Sequence, residues 1–132
     1  MSAMTRVMMV DDEADYLTPL SYWLQSKGYD VVTETNPLNA IEIIREQAPD
    51  VLFLDINMPE LSGIQTLERI REFNRELPVI IVTAASQDQE KFDKARGLGI
   101  AGFFPKQSSL DEFGRLLELT LRTRAKKNSD NS

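Results

Sequence analysis

The chain has 132 residues, 42% of them hydrophobic, and a formal net charge of −6, which suits one domain with one core. It contains neither cysteine nor histidine, which excludes disulfides, thiolate catalysis, a Ser-His triad and a histidine metal site. The acidic balance argues against direct binding of nucleic acid, and no apolar run approaches the ~20 residues of a membrane span. The start of the chain lacks the apolar region of a signal peptide, so we predict a cytoplasmic protein with no membrane contact.

Short apolar runs alternate with segments of helical periodicity in the first half of the chain. A strand at 6–10 precedes a helix over 14–27, whose leucines share one face. A less apolar strand at 30–34 is predicted nearer a sheet edge. The next helix begins after Asn36, a good N-cap, with a proline at its first position. Its predicted core side consists of Ala40, Ile41, Ile44 and Ala48, and Pro49 ends it.

The second half continues the alternation. Strands are predicted at 51–54, 79–82 and 100–104. The helices that follow them end at about Asn74, Gly97 and Ala125. Capping boxes mark the starts of the last two helices, Ser86 with Gln89 and Ser109 with Glu112. The fourth helix has a sparse apolar face, with Phe92 and Ala95 as its main members. We predict one domain over 1–125 and a polar, disordered tail over 126–132.

Five strands that alternate with five helices through short connections predict a parallel sheet covered on both faces. Right-handed crossovers restrict the topology. The simplest solution is a doubly wound, flavodoxin-like α/β fold with strand order 2-1-3-4-5. The carboxyl ends of all the strands then lie at one edge, which is where ligands bind in open α/β sheets.

Polar side chains follow four of the strands at that edge. They are Asp11 and Asp12 after the first strand, Asp55 after the third, Thr83 after the fourth and Lys106 after the fifth. Asp55 follows a run of apolar residues, where an unpaired carboxylate is costly to bury. Converging carboxylates repel one another, and Mg²⁺ relieves such repulsion through hard oxygen ligands. With a lysine and a hydroxyl beside them, these acids predict a phosphoryl-transfer site in which a carboxylate can be the nucleophile.

The motifs at these strand ends resemble those of the receiver domains of two-component response regulators. The matching stretches are Val10-Asp11-Asp12-Glu13, Leu54-Asp55-Ile56-Asn57-Met58-Pro59, Gly63, Val82-Thr83-Ala84 and Phe103-Phe104-Pro105-Lys106. Each motif is weak alone, but their order on successive strand ends is specific. The resemblance covers roughly residues 5–125, nearly the whole chain.

The resemblance implies a phosphorylation site and a metal site. Asp55 would accept the phosphoryl group. Asp12 directly, Asp11 through water and the backbone carbonyl of Asn57 would hold Mg²⁺ together with Asp55. Lys106 would contact the phosphoryl group.

It also implies a conformational switch. Thr83 would supply the switch hydroxyl, Phe103 the aromatic ring that follows it inward, and the small Ala84 would leave the phosphoryl group room to enter. The proline that usually follows the lysine through a cis bond is Gln107 here. Because a cis bond without proline costs roughly 3–4 kcal/mol, we predict a trans bond between Lys106 and Gln107.

The function implied is a phosphorylation-activated signalling switch, which assists its own phosphotransfer and autodephosphorylation but is otherwise not an enzyme. The donor would be a histidine kinase or a histidine phosphotransfer protein. A downstream effector protein or domain would read the face of the fourth helix, the fifth strand and the last helix, through which a homodimer could also form.

Two alternatives remain. A degenerate receiver would only bind proteins, and the complete set of acids, lysine and threonine counts against it. A haloacid-dehalogenase-type phosphatase would need a second aspartate in the place of Asn57.

Plainer structural roles of the single residues are also open: the acids at 11–13 suit a helix N-terminus, Lys106 could be a surface lysine, and Tyr16 and Trp23 are interpreted as partly exposed packing residues.

Overall fold

The computed structural model describes residues 4–84 and 89–130, with side chains as far as Ala125. One five-stranded parallel sheet has the order β2-β1-β3-β4-β5, which confirms the predicted flavodoxin-like topology. The strands are β1 (Arg6–Val10), β2 (Asp30–Glu34), β3 (Val51–Asp55), β4 (Val79–Thr83) and β5 (Gly102–Pro105). The helices are α1 (Ala14–Ser26), α2 (Pro37–Glu46), α3 (Gly63–Phe73), α4 (Gln89–Gly97) and α5 (Leu110–Asp130).

The sheet register aligns the carboxyl ends of the strands. Val10 lies beside Leu54, Asp55 beside Val82, and Thr83 beside Pro105. All residues of β3 and β4 are buried, as their unbroken apolar runs predicted. β2 lies at the sheet edge and has no fully buried residue, which agrees with its weaker apolar pattern.

The core has two layers, one on each face of the sheet. Alternate strand residues point to opposite faces, so Val7 and Met9 pack with α1 and α5, whereas Met8 and Val10 pack with α2 and α3. The α1–α5 layer is rich in aromatic rings: Phe113 stacks on Phe53 at 4.3 Å between ring centroids. Among the described residues, no helix has the length and apolarity needed to cross a membrane.

Side-chain caps fix several helix starts. The Asn36 side chain accepts a hydrogen bond from the Leu38 N–H at 2.9 Å, as predicted. The Ser109 hydroxyl accepts one from the Glu112 N–H at 3.2 Å. A complete capping box, Ser62 with Gln65, begins α3 and is an addition to the predicted caps. The predicted box at Ser86 lies outside the described residues.

Three boundaries differ from the prediction by two or more residues. α2 ends at Glu46 and leaves Ala48 exposed, because the ring of Pro49 clashes with the preceding residue and disfavours a helical conformation of Ala48. Strand β5 begins at Gly102, two residues later than predicted. Helix α5 continues to Asp130, so 126–130 is helical where a disordered tail was predicted. Alanine and lysine at 125–127 are good helix formers, and they extend the helix past its last apolar residues.

Candidate functional site

The strand ends bring the predicted acids, hydroxyl and lysine to one edge of the sheet. Asp11 directly follows β1, Asp55 ends β3, Thr83 ends β4 and Lys106 directly follows β5. Asp11, Asp55 and Thr83 are buried, at 2%, 3% and 6% exposure. A side chain that ends a central parallel strand is covered from both faces by the helices, which explains why these polar groups are inside the protein.

The Asp55 carboxylate lies in the least favourable electrostatic environment of the site. Burial first, and then the nearby charge of Asp11, raise the pKa of Asp55, which is about 7 overall against an ordinary 3.8. A hydrogen bond from the Asn57 N–H to Asp55 Oδ1, at 3.3 Å, opposes that change. The attraction of Lys106 opposes it as well. Without a further cation, the carboxyl group therefore keeps its proton to a higher pH than an ordinary aspartate does.

The Lys106 ammonium is shared among three carboxylates. Its Nζ lies 2.8 Å from Asp11 Oδ2, 2.8 Å from Glu13 Oε1 and 3.7 Å from Asp55 Oδ2. It also lies 4.9 Å from the ring centroid of Tyr16, in a cation–π contact. Burial lowers the pKa of Lys106, but its hydrogen bonds to Asp11 and Glu13 and the neighbouring negative charges outweigh that effect and raise the pKa overall. Lys106 is thus a permanent cation of the site and not a surface lysine.

Three of the acids are grouped as a cation site requires. Carboxylate oxygens of Asp11, Asp12 and Asp55 all lie within 4.8 Å of one another. Asp12 is exposed at the rim, whereas the other two are buried. Three carboxylates against one shared lysine leave excess negative charge, and hard oxygen ligands with access to water are the donors that Mg²⁺ prefers. The donor set therefore fits Mg²⁺.

The predicted switch residues lie on β4, directly after it, and on β5. Thr83 Oγ1 is buried and has no hydrogen-bond partner within the described part of the chain. Ala84, the next residue, is exposed. The ring of Phe103 is partly buried on β5, and α4 covers it: the Phe92 ring centroid lies 4.8 Å away and the Arg96 guanidinium 5.2 Å away.

Two close contacts shape the loop after β3. A Cβ on Gly63 would lie 2.2 Å from the Asp55 carbonyl oxygen, so only glycine lets α3 begin this close to the strand end. The exposed Asn57 side chain accepts a hydrogen bond from Lys91 of α4 at 2.9 Å. The bond between Lys106 and Gln107 is trans, since cis bonds are absent from the residues that the structure describes. That prediction is confirmed.

Sequence reasoning missed the roles of three residues. Glu13 belongs to a motif of the resemblance but has no predicted role beyond that of a helix acid, Tyr16 is predicted only as a packing residue, and Lys91 is not singled out. Their contacts with Lys106 and Asn57 cross between elements that are distant in sequence, so no local pattern could have revealed them. The proximity of Glu13 to Asp11 and Asp12 was the one available signal.

Comparison with known proteins agrees with this architecture. Residues 7–118 match the family model of the response regulator receiver domain. The chain is 32% identical over 119 residues to the alkaline phosphatase synthesis transcriptional regulatory protein PhoP of Bacillus subtilis, a match that covers 89% of this chain and 48% of that protein. It is 33% identical over 119 residues to the transcriptional regulatory protein KdpE of Mycobacterium tuberculosis, covering 90% and 52%. The chain thus spans about half the length of these curated relatives.

Solved structures support the fold independently. A response regulator receiver domain protein (CheY-like) from Methanospirillum hungatei superposes with a TM-score of 0.90 at 19% identity, over 95% of this chain and 99% of that one. At this identity the likeness concerns the fold alone. The family is established by the match over 7–118, and the chain belongs to the response regulator receiver domains.

Proposed function

We propose that this chain is a phosphorylation-activated signalling switch and that Asp55 accepts the phosphoryl group. The observation that carries the proposal is the convergence of Asp55 with Asp11, Asp12, Thr83 and Lys106 at the carboxyl edge of the sheet. A buried carboxylate is costly, and the one backbone hydrogen bond that Asp55 accepts, from the Asn57 N–H, does not require a charged group.

The reaction is a phosphoryl transfer between two proteins. An Asp55 oxygen attacks phosphorus, the bond between phosphorus and the donor's histidine nitrogen breaks, and the electron pair stays on that nitrogen. The chain contains no histidine, so the donor is a histidine kinase, a histidine phosphotransfer protein or a small phosphodonor. Because the pKa of Asp55 is raised to about 7, a cation near the carboxylate would increase the fraction that is ionised and able to attack.

Mg²⁺ is the cofactor that the donor set supports. Asp11, Asp12, Asp55 and the backbone carbonyl of Asn57 would hold it. When bound, the ion would neutralise carboxylate charge and the charge that develops on the transferred group. Lys106 contributes its own positive charge to a phosphoryl oxygen, which orients the group. The same residues would assist hydrolysis of the aspartyl phosphate, so that the chain ends its own signal.

The switch then transmits the new charge to the surface. The unbonded Thr83 hydroxyl would donate to a phosphoryl oxygen, and the exposed Ala84 leaves room for that group. Movement of Thr83 frees space that the Phe103 ring can enter, and α4 would follow because Phe92 rests on that ring. A downstream effector protein or domain would bind the α4–β5–α5 face, where a homodimer could also form. We assign the receiver domain to 1–125 and place its action in the cytoplasm.

Mass spectrometry of the intact protein tests this proposal. The protein is incubated with acetyl phosphate, with and without Mg²⁺. We expect one added phosphoryl group with Mg²⁺, none in Asp55→Asn, and an unchanged gain in Asp111→Asn, which removes an exposed acid of α5. Full phosphorylation of Asp55→Asn would refute the assignment of Asp55. No phosphorylation of the wild type would favour the degenerate, binding-only receiver. The family match already argues against the haloacid-dehalogenase alternative.

A further inference from the structure

Glu13 occupies the N-cap position of α1 without capping the helix. Its backbone has the extended geometry of an N-cap, φ −95° and ψ 93°, but its side chain makes no capping hydrogen bond. Serine, threonine, aspartate and asparagine are the residues that cap helices well. Glutamate at this position therefore stabilises the helix less than a good N-cap residue would, and its side chain makes another contact.

That contact is with the Lys106 ammonium. Glu13 Oε1 accepts a hydrogen bond from Lys106 Nζ at 2.8 Å, across 93 residues of sequence. The Glu13 N–H donates to Asp11 Oδ1 at 2.9 Å, which keeps the start of α1 next to the acid group. The Tyr16 ring, one turn further along α1, lies 4.9 Å from the same ammonium. The first turn of α1 thus holds Lys106 through two different interactions.

The position of the ammonium has a consequence for the site. Lys106 Nζ is 2.8 Å from Glu13 but 3.7 Å from Asp55, so the cation that a phosphoryl group on Asp55 requires is engaged elsewhere in the resting protein. Its contact with the buried Asp11, at 2.8 Å, can persist. The Glu13 side chain is 62% exposed and can turn to solvent, which makes Glu13 the partner that Lys106 can exchange for a phosphoryl oxygen.

We propose that Glu13 is a positioning residue that holds Lys106 away from Asp55 and thereby weakens phosphoryl binding in the resting protein. The inference rests on the proposed function of Asp55 and adds a residue that sets the affinity of the site for a phosphoryl group. An exposed ion pair of this kind corresponds to a factor of about 1.4 to 5 in an equilibrium constant. Releasing Lys106 should therefore change the affinity for a phosphoryl group by about threefold.

Two substitutions separate the contact from the charge. Glu13→Gln removes the charge and keeps the length, whereas Glu13→Asp keeps the charge and shortens the reach to Lys106. Asp15→Asn is the matched control, since it removes an exposed acid from the same turn. The measurement is calorimetric affinity for beryllofluoride, a phosphoryl mimic, at saturating Mg²⁺. We expect about threefold tighter binding in both Glu13 variants and less than 1.5-fold in the control.

A second readout does not depend on the loaded site. Aspartate is a good N-cap, so Glu13→Asp should raise the melting temperature of the metal-free protein by about 3 °C. A higher melting temperature together with tighter beryllofluoride binding in Glu13→Asp would support the proposal that Glu13 contacts Lys106 at the cost of capping α1. Tighter beryllofluoride binding in Glu13→Gln and Asp15→Asn, but not in Glu13→Asp, would overturn the positioning role of Glu13. It would show that the loss of any negative charge near the site strengthens binding.

A double-mutant cycle links the effect to Lys106. In a Lys106→Met background, Glu13→Gln should leave the beryllofluoride affinity unchanged, because the cation it releases is gone. An equal gain in both backgrounds would refute the positioning role. Failure of the proposed function looks different: the wild type itself would then bind no beryllofluoride, whereas failure of this inference leaves wild-type binding intact and the Glu13 variants equal to it.

Discussion

Replacing Asp55 by asparagine should stabilise the metal-free protein at neutral and alkaline pH. The Asp55 side chain is buried, and its environment raises the pKa from 3.8 to about 7. A difference of one in pKa corresponds to about 1.4 kcal/mol, so the ionised carboxylate costs up to roughly 4 kcal/mol. Asparagine has the same shape, and its oxygen can still accept the hydrogen bond from the Asn57 N–H. Because water and neighbouring groups relax around a buried charge, we expect a gain of roughly 2–4 kcal/mol in the free energy of unfolding.

The gain should depend on pH with a definite sign. Between pH 3.8 and about 7 the folded protein binds the Asp55 proton more tightly than the unfolded chain does. The contribution of Asp55 to stability is therefore fully present below about pH 4 and is lost as the pH rises through 7. The difference between Asp55→Asn and the wild type should be small at pH 4, grow between pH 4 and 7, and stay constant above.

Urea unfolding followed by circular dichroism, in chelator and at pH 4 to 8, measures this difference. Asp12→Asn is the control: Asp12 is exposed and contributes least to the raised pKa of Asp55, so its gain should stay below about 1 kcal/mol. Adding Mg²⁺ should stabilise the wild type by mass action. The difference in the free energy of unfolding between the wild type and Asp55→Asn should then become smaller. An Asp55→Asn protein no more stable than the wild type at pH 8, or a difference independent of pH, would refute the account of a buried, destabilising carboxylate.

Three further outcomes follow from other contacts. Gly63→Ala should lower the free energy of unfolding in urea by about 1–3 kcal/mol, because its Cβ would meet the Asp55 carbonyl. Gly97→Ala, where the added Cβ has open space, should not lower it, and equal effects of the two substitutions would contradict this. Arg71→Ala should lower the free energy of unfolding by about 3 kcal/mol, since the buried Arg71 guanidinium donates to the carbonyls of three residues. The control, Arg69→Ala, removes an exposed arginine and should lower it by less than about 0.5 kcal/mol. Beryllofluoride with Mg²⁺ should change amide exchange over 89–104, where α4 buries only Ala95 fully; a change confined to the surroundings of Asp55 would count against transmission through α4.

The sequence predicted the sheet and the convergence of the polar strand ends because both depend on short-range signals. A run of apolar residues followed by Asp55 indicates a buried strand and its end, and the parallel topology then brings such ends together without any knowledge of side-chain packing. Asn36 and Ser109 marked helix starts by the same kind of local chemistry. These features depend on a few neighbouring residues, which a single sequence contains in full.

What the sequence could not predict depends on distant contacts or on competing local preferences. The interactions of Lys106 with Glu13 and Tyr16 join residues that are far apart in sequence. Their geometry follows from the parallel sheet, which brings the carboxyl ends of β1 and β5 to the same edge. Arg71 was not singled out either, although it holds the Leu98 and Gly99 carbonyls at 2.8 and 2.7 Å. The end of α2 before Ala48 was misplaced because its apolar period continues to that residue, while the following proline prevents the helix from doing so.

The departures from local rules gather at one edge of the molecule. Glu13 occupies an N-cap position without capping, Asp55 is a buried acid with a raised pKa, and the buried Thr83 hydroxyl lacks a hydrogen bond among the described residues. Each feature costs stability when the site is considered alone, and natural sequences concentrate such conflicts at functional sites. Under the proposed function, one event would relieve the buried acid and the unbonded hydroxyl and would release Glu13 from Lys106. A cation would compensate the acids, a phosphoryl group on Asp55 would accept from Thr83, and Lys106 would leave Glu13 for a phosphoryl oxygen. Under the proposed function, the resting site is therefore organised for a metal ion and a phosphoryl group together.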